Sequence, residues 1–340
     1  MRWLAGRELI MNELQNRTIV ITGASSGIGL AAALAFARRR ANLVLAARRT
    51  EPLEQAARDC EPLGGRAIAV PSDVCDAAQM RALADAALRT FGGVDVWINN
   101  AGLSLWGAFT DIPVEAQSRL IEVNLAGVIN GAHAAVRSML AGSGHGVIIN
   151  IASIGGRLPM PFASAYSASK YGVRGLTEAL RYELAAVSDI AVCGVYPGFV
   201  DTPTNVHSAN YTGRALRPVP PVIEPERVAE AIVALSIRPQ RAVHIGAHHA
   251  LAGPYAMAPE ATGRILGRLA RQFLLQSGPS AEPFAGTLFE PVPEGTGVRG
   301  GWGLPERRRA KQTSLAALAG VACFSVFAAV ALTSGKRRTR

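Results

Sequence analysis

The chain has 340 residues, of which 49% are hydrophobic, 6% aromatic and 18% charged; this excludes a disordered chain and accommodates one large α/β domain with an appendage, or two domains. The formal net charge of +10 is uneven: residues 1–298 carry 26 Lys and Arg against 24 Asp and Glu, whereas residues 299–340 carry 9 against 1. The excess belongs to a tail, so no basic domain surface for nucleic acid is implied, and four scattered cysteines without CxxC or ligand spacing imply neither a disulfide framework nor a metal site.

The first 15 residues form a lead that is too short and too interrupted by charge to read as a secretory signal, and Met11 offers a second start. From there the chain alternates short β-rich runs with longer Ala- and Leu-rich stretches. Strands are expected at Thr18–Ile21, Leu43–Ala46, Ala67–Val70, Val94–Ile98, Val147–Ile151, Ile190–Val195 and Ala242–Ile245. Helices are expected near Gly27–Arg40, Glu51–Cys60, Asp76–Thr90, Pro113–Leu140, Ser164–Ala186 and Pro225–Leu235. The alternation is that of βαβ units, and apolar runs such as TIVIT fit strands buried on both faces. The expected fold is a doubly wound parallel sheet of Rossmann type over residues 16–277, with its ligand crevice at the carboxyl ends of the strands.

Between the first strand and first helix stands Thr22-Gly23-Ala24-Ser25-Ser26-Gly27-Ile28-Gly29. Glycines in such a turn let backbone N–H groups approach a pyrophosphate at the helix N-terminus. The second strand ends in Ala46-Ala47-Arg48-Arg49, with no carboxylate before Glu51. An acidic residue there would bind ribose hydroxyls, whereas guanidinium groups suit a 2′-phosphate, so NADP(H) is the expected cofactor.

Ser153 closes the fifth strand, and Tyr166 and Lys170 stand four apart at the start of a helix, on one face. An ammonium near a phenol favours the phenolate and lowers its pKa, while a strand-end hydroxyl can donate to a substrate oxygen as charge develops. Trp97 is expected in the core and Trp106 in a pocket wall. His244, His248 and His249 lack carboxylate or cysteine partners at ligand spacing, so no metal is expected. Beyond residue 250 the alternation stops. Arg264–Gln276 reads as a basic amphipathic helix, and residues 278–313 as an extended arm or linker rich in Pro and Gly.

Residues 314–333, SLAALAGVACFSVFAAVALT, contain no charge and are flanked by RRRAK and by a basic tail at 334–340. Twenty helical residues span roughly 30 Å, enough for a bilayer core. A single C-terminal membrane anchor, with the catalytic domain in the cytoplasm, is expected; an oligomer-forming helix is the alternative.

The motifs together resemble the compact branch of the short-chain dehydrogenase/reductase family, from about residue 15 to residue 250. Thr22 through Gly29 is similar to its glycine motif. Asp73, with Val74 beside it, matches the acidic position that holds the adenine, and Asn99-Asn100-Ala101-Gly102 its NNAG turn. Asn124, Ser153, Tyr166 and Lys170 match its catalytic positions. Pro197, Gly198, Val200 and Thr202 resemble the loop beside the nicotinamide, and the segment Thr202–Pro221 its substrate lid. The resemblance implies a catalytic asparagine helping to hold a relay water, a lysine that also holds the nicotinamide ribose, and hydride transfer with Tyr166 as acid/base. It implies interconversion of a carbonyl and an alcohol on a small molecule, in the reductive direction, and the expected membrane anchor adds the expectation that this substrate is apolar. An alcohol dehydrogenase working oxidatively and a catalytically silent NADP-binding membrane protein are the alternatives.

Overall fold

The structure is a computed structural model and describes residues 13–203 and 207–302. Among the described residues there are nine strands: β1 (Thr18–Thr22), β2 (Asn42–Ala47), β3 (Arg66–Pro71), β4 (Val96–Asn99), β5 (Leu105–Gly107), β6 (His145–Ile151), β7 (Asp189–Pro197), β8 (Ala209–Tyr211) and β9 (Ala242–Ile245). Seven form one sheet in the order β3-β2-β1-β4-β6-β7-β9, and every ladder in it is parallel. The order reverses between β1 and β4, which opens a crevice at their carboxyl ends.

Successive side chains leave opposite faces of the sheet. Ile19, Ile21, Leu43 and Leu45 pack on one side with the helices Gly27–Ala37, Thr50–Cys60 and Pro225–Ile237. Val20, Val44, Trp97 and Ile148 pack on the other with Ala77–Phe91, Gly127–Ala141 and Ser164–Ala185. Burial on both faces is why these strands read as unbroken apolar runs. Helix Gly27–Ala37 (GIGLAAALAFA) is apolar all round because it is enclosed by the sheet and the helix Pro225–Ile237.

All seven expected strands lie in the large sheet. Three features differ from expectation. β5 and β8 form a separate two-stranded sheet. The long helix expected from Pro113 is Val114–Ile121, a π turn at Glu122–Ala126, and Gly127–Ala141. The basic helix begins at Pro259, where a proline fits the first turn, and runs to Ala270 before a second π turn at Arg271–Leu275.

Residues 278–302 turn back along the domain instead of leaving it. Asn210 and Phe284 exchange two backbone hydrogen bonds of 2.7 and 2.9 Å, the Thr287 amide donates to the His207 carbonyl at 3.0 Å, and Gly300 donates to the Asp201 carbonyl at 3.3 Å. No described helix is long and apolar enough to cross a membrane. The run 314–333, on which the expected anchor rests, lies outside the described residues.

Candidate active site

The glycine turn is shaped by close approach. Gly23 has φ +67°, and a Cβ on Gly29 would stand 2.2 Å from the Gly23 carbonyl oxygen, so the strand can enter the helix this tightly only with glycine there. The turn is knitted to the segment after β4. Thr22 Oγ1 accepts from the amides of Asn100 and Ala101 at 3.0 and 3.1 Å, and Asn100 Nδ2 donates to the Thr22 and Gly23 carbonyls at 2.9 and 3.2 Å. Thr22 and Gly29 therefore form the back of the turn, and Gly27 faces the Thr202 side chain.

In front lies a cavity of about 260 Å³. Gly23, Ser25, Ser26 and Ile28 line its middle, with Ala101 and Gly102 from the adjoining turn. Arg48, Arg49, Asp73 and Val74 are brought to it by the ends of β2 and β3, Ser153 by β6, and Pro197, Gly198, Val200 and Thr202 by the end of β7. Tyr166 and Lys170 reach it from the helix Ser164–Ala185. Cationic and acidic groups at strand ends, amides of a glycine turn and a hydroxyl cluster share one crevice, an arrangement that fits a dinucleotide.

The reactive cluster is packed from below. A Cβ on Gly155 would lie 2.9 Å from the Tyr166 ring, so the turn after Ser153 passes the ring only as glycine. Ser153 Oγ accepts from the Gly155 amide at 3.1 Å and hydrogen-bonds Tyr166. Lys170 Nζ donates to the Ile151 carbonyl at 3.0 Å and stands 5.9 Å from the centroid of the Tyr166 ring.

Here the charge logic departs from the sequence reading, which had the ammonium lowering the phenol. Burial pushes the Tyr166 phenol up, with the Ser153 hydrogen bond opposing it in part. Burial also pushes Lys170 down to about 8, because the ammonium has left water for a pocket wall. The geometric reason is that Lys170 points at a strand carbonyl and not at the phenol oxygen.

Asn124 sits in the π turn, fully buried, and does not line the cavity. Its Oδ1 accepts from the Leu103 amide at 2.8 Å, and its Nδ2 donates to the Leu103 carbonyl at 2.9 Å and to Ser169 Oγ at 3.1 Å. Its side chain thus clamps the chain after Gly102 against the helix of Tyr166 and Lys170. Asp73 accepts from the Cys75 amide at 2.9 Å and from Arg119 at 3.1 Å. Burial raises its carboxyl, but these bonds outweigh it and hold the pKa below the usual range.

Some lining residues gave no signal in the sequence. Met160 and Phe199 join Trp106 around Tyr166, and the ring centroids of Trp106 and Phe199 are 6.4 Å apart. Thr287 and Pro291 also line the cavity, as does His207, which lies within the segment Thr202–Pro221 expected as the substrate lid but was not singled out there. Nothing in residue type or spacing marks these, because they come from loops and from a segment far along the chain. The three histidines in and just after β9 are engaged elsewhere: His249 with the Tyr196 carbonyl at 2.7 Å, His248 with the Pro220 carbonyl at 3.1 Å, and His244 stacked on Tyr196. Among the described residues, no group of three or more His, Cys, Asp or Glu could hold a metal ion.

The family model for short chain dehydrogenase matches residues 17–211, from the start of β1 to the end of β8. The chain belongs to the short chain dehydrogenase family. This dehydrogenase is 35% identical to the oxidoreductase YxnA of Bacillus subtilis over 265 residues, covering 77% of this chain and 74% of that one. It is 38% identical over 226 residues to 3beta-hydroxysteroid dehydrogenase 1 of Eggerthella lenta, covering 65% and 86%. Its structure is similar to a crystal structure of an actinorhodin polyketide ketoreductase with NADPH, with a TM-score of 0.60, 32% identity and coverage of 67% and 95%. It is thus an oxidoreductase of alcohol and ketone groups that works with a nicotinamide dinucleotide.

Proposed function

We propose that this short-chain dehydrogenase is an NADP(H)-dependent reductase of an apolar carbonyl compound, with Tyr166 as its proton donor. The observation that carries the reading is one crevice with paired arginines, Arg48 and Arg49, at one end and Ser153, Tyr166 and Lys170 at the other. Guanidinium groups at the end of β2, with no carboxylate among them, match a 2′-phosphate better than a bare ribose. The ketoreductase with NADPH supports the same choice by likeness. Trp106, Met160 and Phe199 make the wall around Tyr166 apolar, and a relative named for a steroid alcohol agrees with a bulky alicyclic or aromatic substrate.

The nicotinamide, when bound, supplies the hydride. The protein's own residues manage the oxygen. A phenol whose pKa is raised by burial stays protonated at neutral pH, so Tyr166 is ready to give its proton to an oxygen that gains charge. Ser153 donates a hydrogen bond to the same oxygen, and its own Oγ is fixed by the Gly155 amide. Lys170, charged below pH about 8, holds a ribose hydroxyl beside its Ile151 contact.

Purified enzyme mixed with NADPH or NADH and a panel of ketones should oxidise NADPH preferentially. Tyr166→Phe should lower turnover by ~10²–10⁴ while still binding NADPH. A variant keeping more than about a tenth of wild-type turnover would remove Tyr166 from the acid/base role, and a wild type preferring NADH would remove the 2′-phosphate reading.

We also propose that the uncharged run 314–333, between basic clusters, anchors the chain in a membrane with the catalytic domain on the cytoplasmic side.

A further inference from the structure

The residues that face the adenosine end of the crevice are tied to a segment some 240 positions away. Arg48 donates through Nη1 to the Phe289 carbonyl at 3.0 Å and through Nη2 to the Thr287 carbonyl at 2.5 Å. Arg49 Nη1 donates to the carbonyls of Val292 and Glu294 at 2.9 and 3.0 Å. Arg119, the cation that holds Asp73, also donates to the Leu288 carbonyl at 3.1 Å. The Gly27 amide, first in its helix, donates to the Gly297 carbonyl at 3.0 Å. Thr287 and Pro291 line the cavity from the outside.

We propose that residues 284–300 are a clamp that closes over the adenosine half of the bound dinucleotide, completing its site and gating its exchange. The proposal rests on the assignment of this crevice to a dinucleotide. The segment walls the cavity without filling it: it engages the arginines through carbonyls on Nη atoms, and a guanidinium has five N–H donors, so donors remain for a phosphate. Its carbonyls fix where the two guanidinium groups sit before the cofactor arrives, which lowers the ordering cost of binding. The segment forms one wall of the crevice at this end through Thr287 and Pro291, and on this proposal an adenosine enters and leaves when that wall lifts. The far end is pinned to the body at Asp201, whose Oδ1 accepts from the amides of Gly300 and Trp302 at 3.1 and 2.8 Å, and by the Arg299–Glu226 pair.

Two glycines fit the segment to the domain. A Cβ on Gly286 would lie 2.1 Å from the His207 carbonyl oxygen, and one on Gly295, at φ +72°, would lie 2.3 Å from His207 Nε2. Any side chain at either position pushes the segment off. His207 also donates through Nε2 to the Glu294 carbonyl at 2.6 Å. His207 precedes β8, and β8 pairs with β5 beside Trp106, so lifting the clamp also loosens the substrate wall.

Hydrogen exchange on the full chain tests this directly. Saturating NADPH should slow exchange of the amides in 284–300 by about tenfold or more, as expected where a ligand stabilises a closed local structure. In stopped-flow displacement, Gly295→Val should release NADPH about tenfold faster than wild type, the effect falling mainly on the off-rate. Arg299→Glu, which sets two carboxylates against each other at an exposed position, should act in the same direction and covers the case in which Gly295→Val fails to fold. Faster exchange of 284–300 with NADPH, or tighter NADPH binding in both variants, would mean the segment competes with the cofactor and would overturn the proposal; so would exchange and release that do not change. Protection by NADH with no NADPH binding would leave the clamp standing and remove only the 2′-phosphate reading.

Discussion

Lys170 is buried at the cavity wall, and its ammonium is held by the Ile151 carbonyl. Its pKa of about 8 lies below that of an unfolded lysine, so between those two values the unfolded chain binds more protons than the folded one. Stability contributed at this site therefore rises as the pH climbs above 8, and at pH 7 the buried charge is a cost to folding. Lys170→Met should raise Tm at pH 7 while abolishing most turnover, and thermal melts at both ends of the range should show that gain vanish above about pH 10. A Tm that falls at pH 7 would show that the Ile151 contact outweighs the desolvation. In the wild type, the reduction rate should fall as the pH passes 8 and the ammonium is lost, measured as a pH profile of NADPH oxidation. The residue types of this cluster, and their spacing along one helix face, were legible in the sequence. The direction of the Tyr166 shift was not, because it depends on packing: how deeply the ring is buried, and that Lys170 turns to a backbone oxygen.

The elements are joined beneath the site by a buried polar chain. Trp97 Nε1 donates to Asn99 Oδ1 at 2.8 Å, Asn99 Nδ2 to Asn150 Oδ1 at 2.8 Å, Asn150 Nδ2 to Thr177 Oγ1 at 2.9 Å, and Thr177 Oγ1 to the Val173 carbonyl at 2.6 Å. It runs from β4 through β6 to the helix that carries Tyr166 and Lys170, and so sets that helix against the sheet. Asn150→Ala leaves donors and acceptors on both sides unpaired and should cost about 1–3 kcal/mol in urea unfolding. A loss below half a kcal/mol would mean that water takes the vacated place. The seven strands of the main sheet were readable because each is a run of β-formers bounded by turn residues. β5 and β8 were not: three residues carry no periodicity, and their pairing joins positions about a hundred apart. The π turn was hidden for a different reason, since the extra residue leaves the apolar pattern of Pro113–Leu140 almost intact.

At the scale of the whole molecule, the composition of residues 278–302 conveyed an extended segment but not where it lies, because its contacts are made by backbone carbonyls, which every residue has. The tail beyond it is a separate matter of charge and hydropathy. Ending the chain after Ala310 removes the uncharged run and keeps the whole described domain, so the truncated protein should leave the membrane fraction and keep its activity. Fractionation with salt and then alkaline carbonate checks this: release of the full chain by salt alone would reduce the tail to electrostatic adhesion. The sheet order has a last consequence, for synthesis. β1 lies inside the sheet, paired on both sides, yet its partner on one side, β4, is made more than seventy residues later. At typical ribosomal rates of about 5–20 residues per second, the inner edge of β1 is left open for on the order of ten seconds. During that interval the strand Thr18–Thr22, buried along its whole length in the finished fold, presents an unpaired edge on which another chain can add, and that edge is covered only once β4 is made.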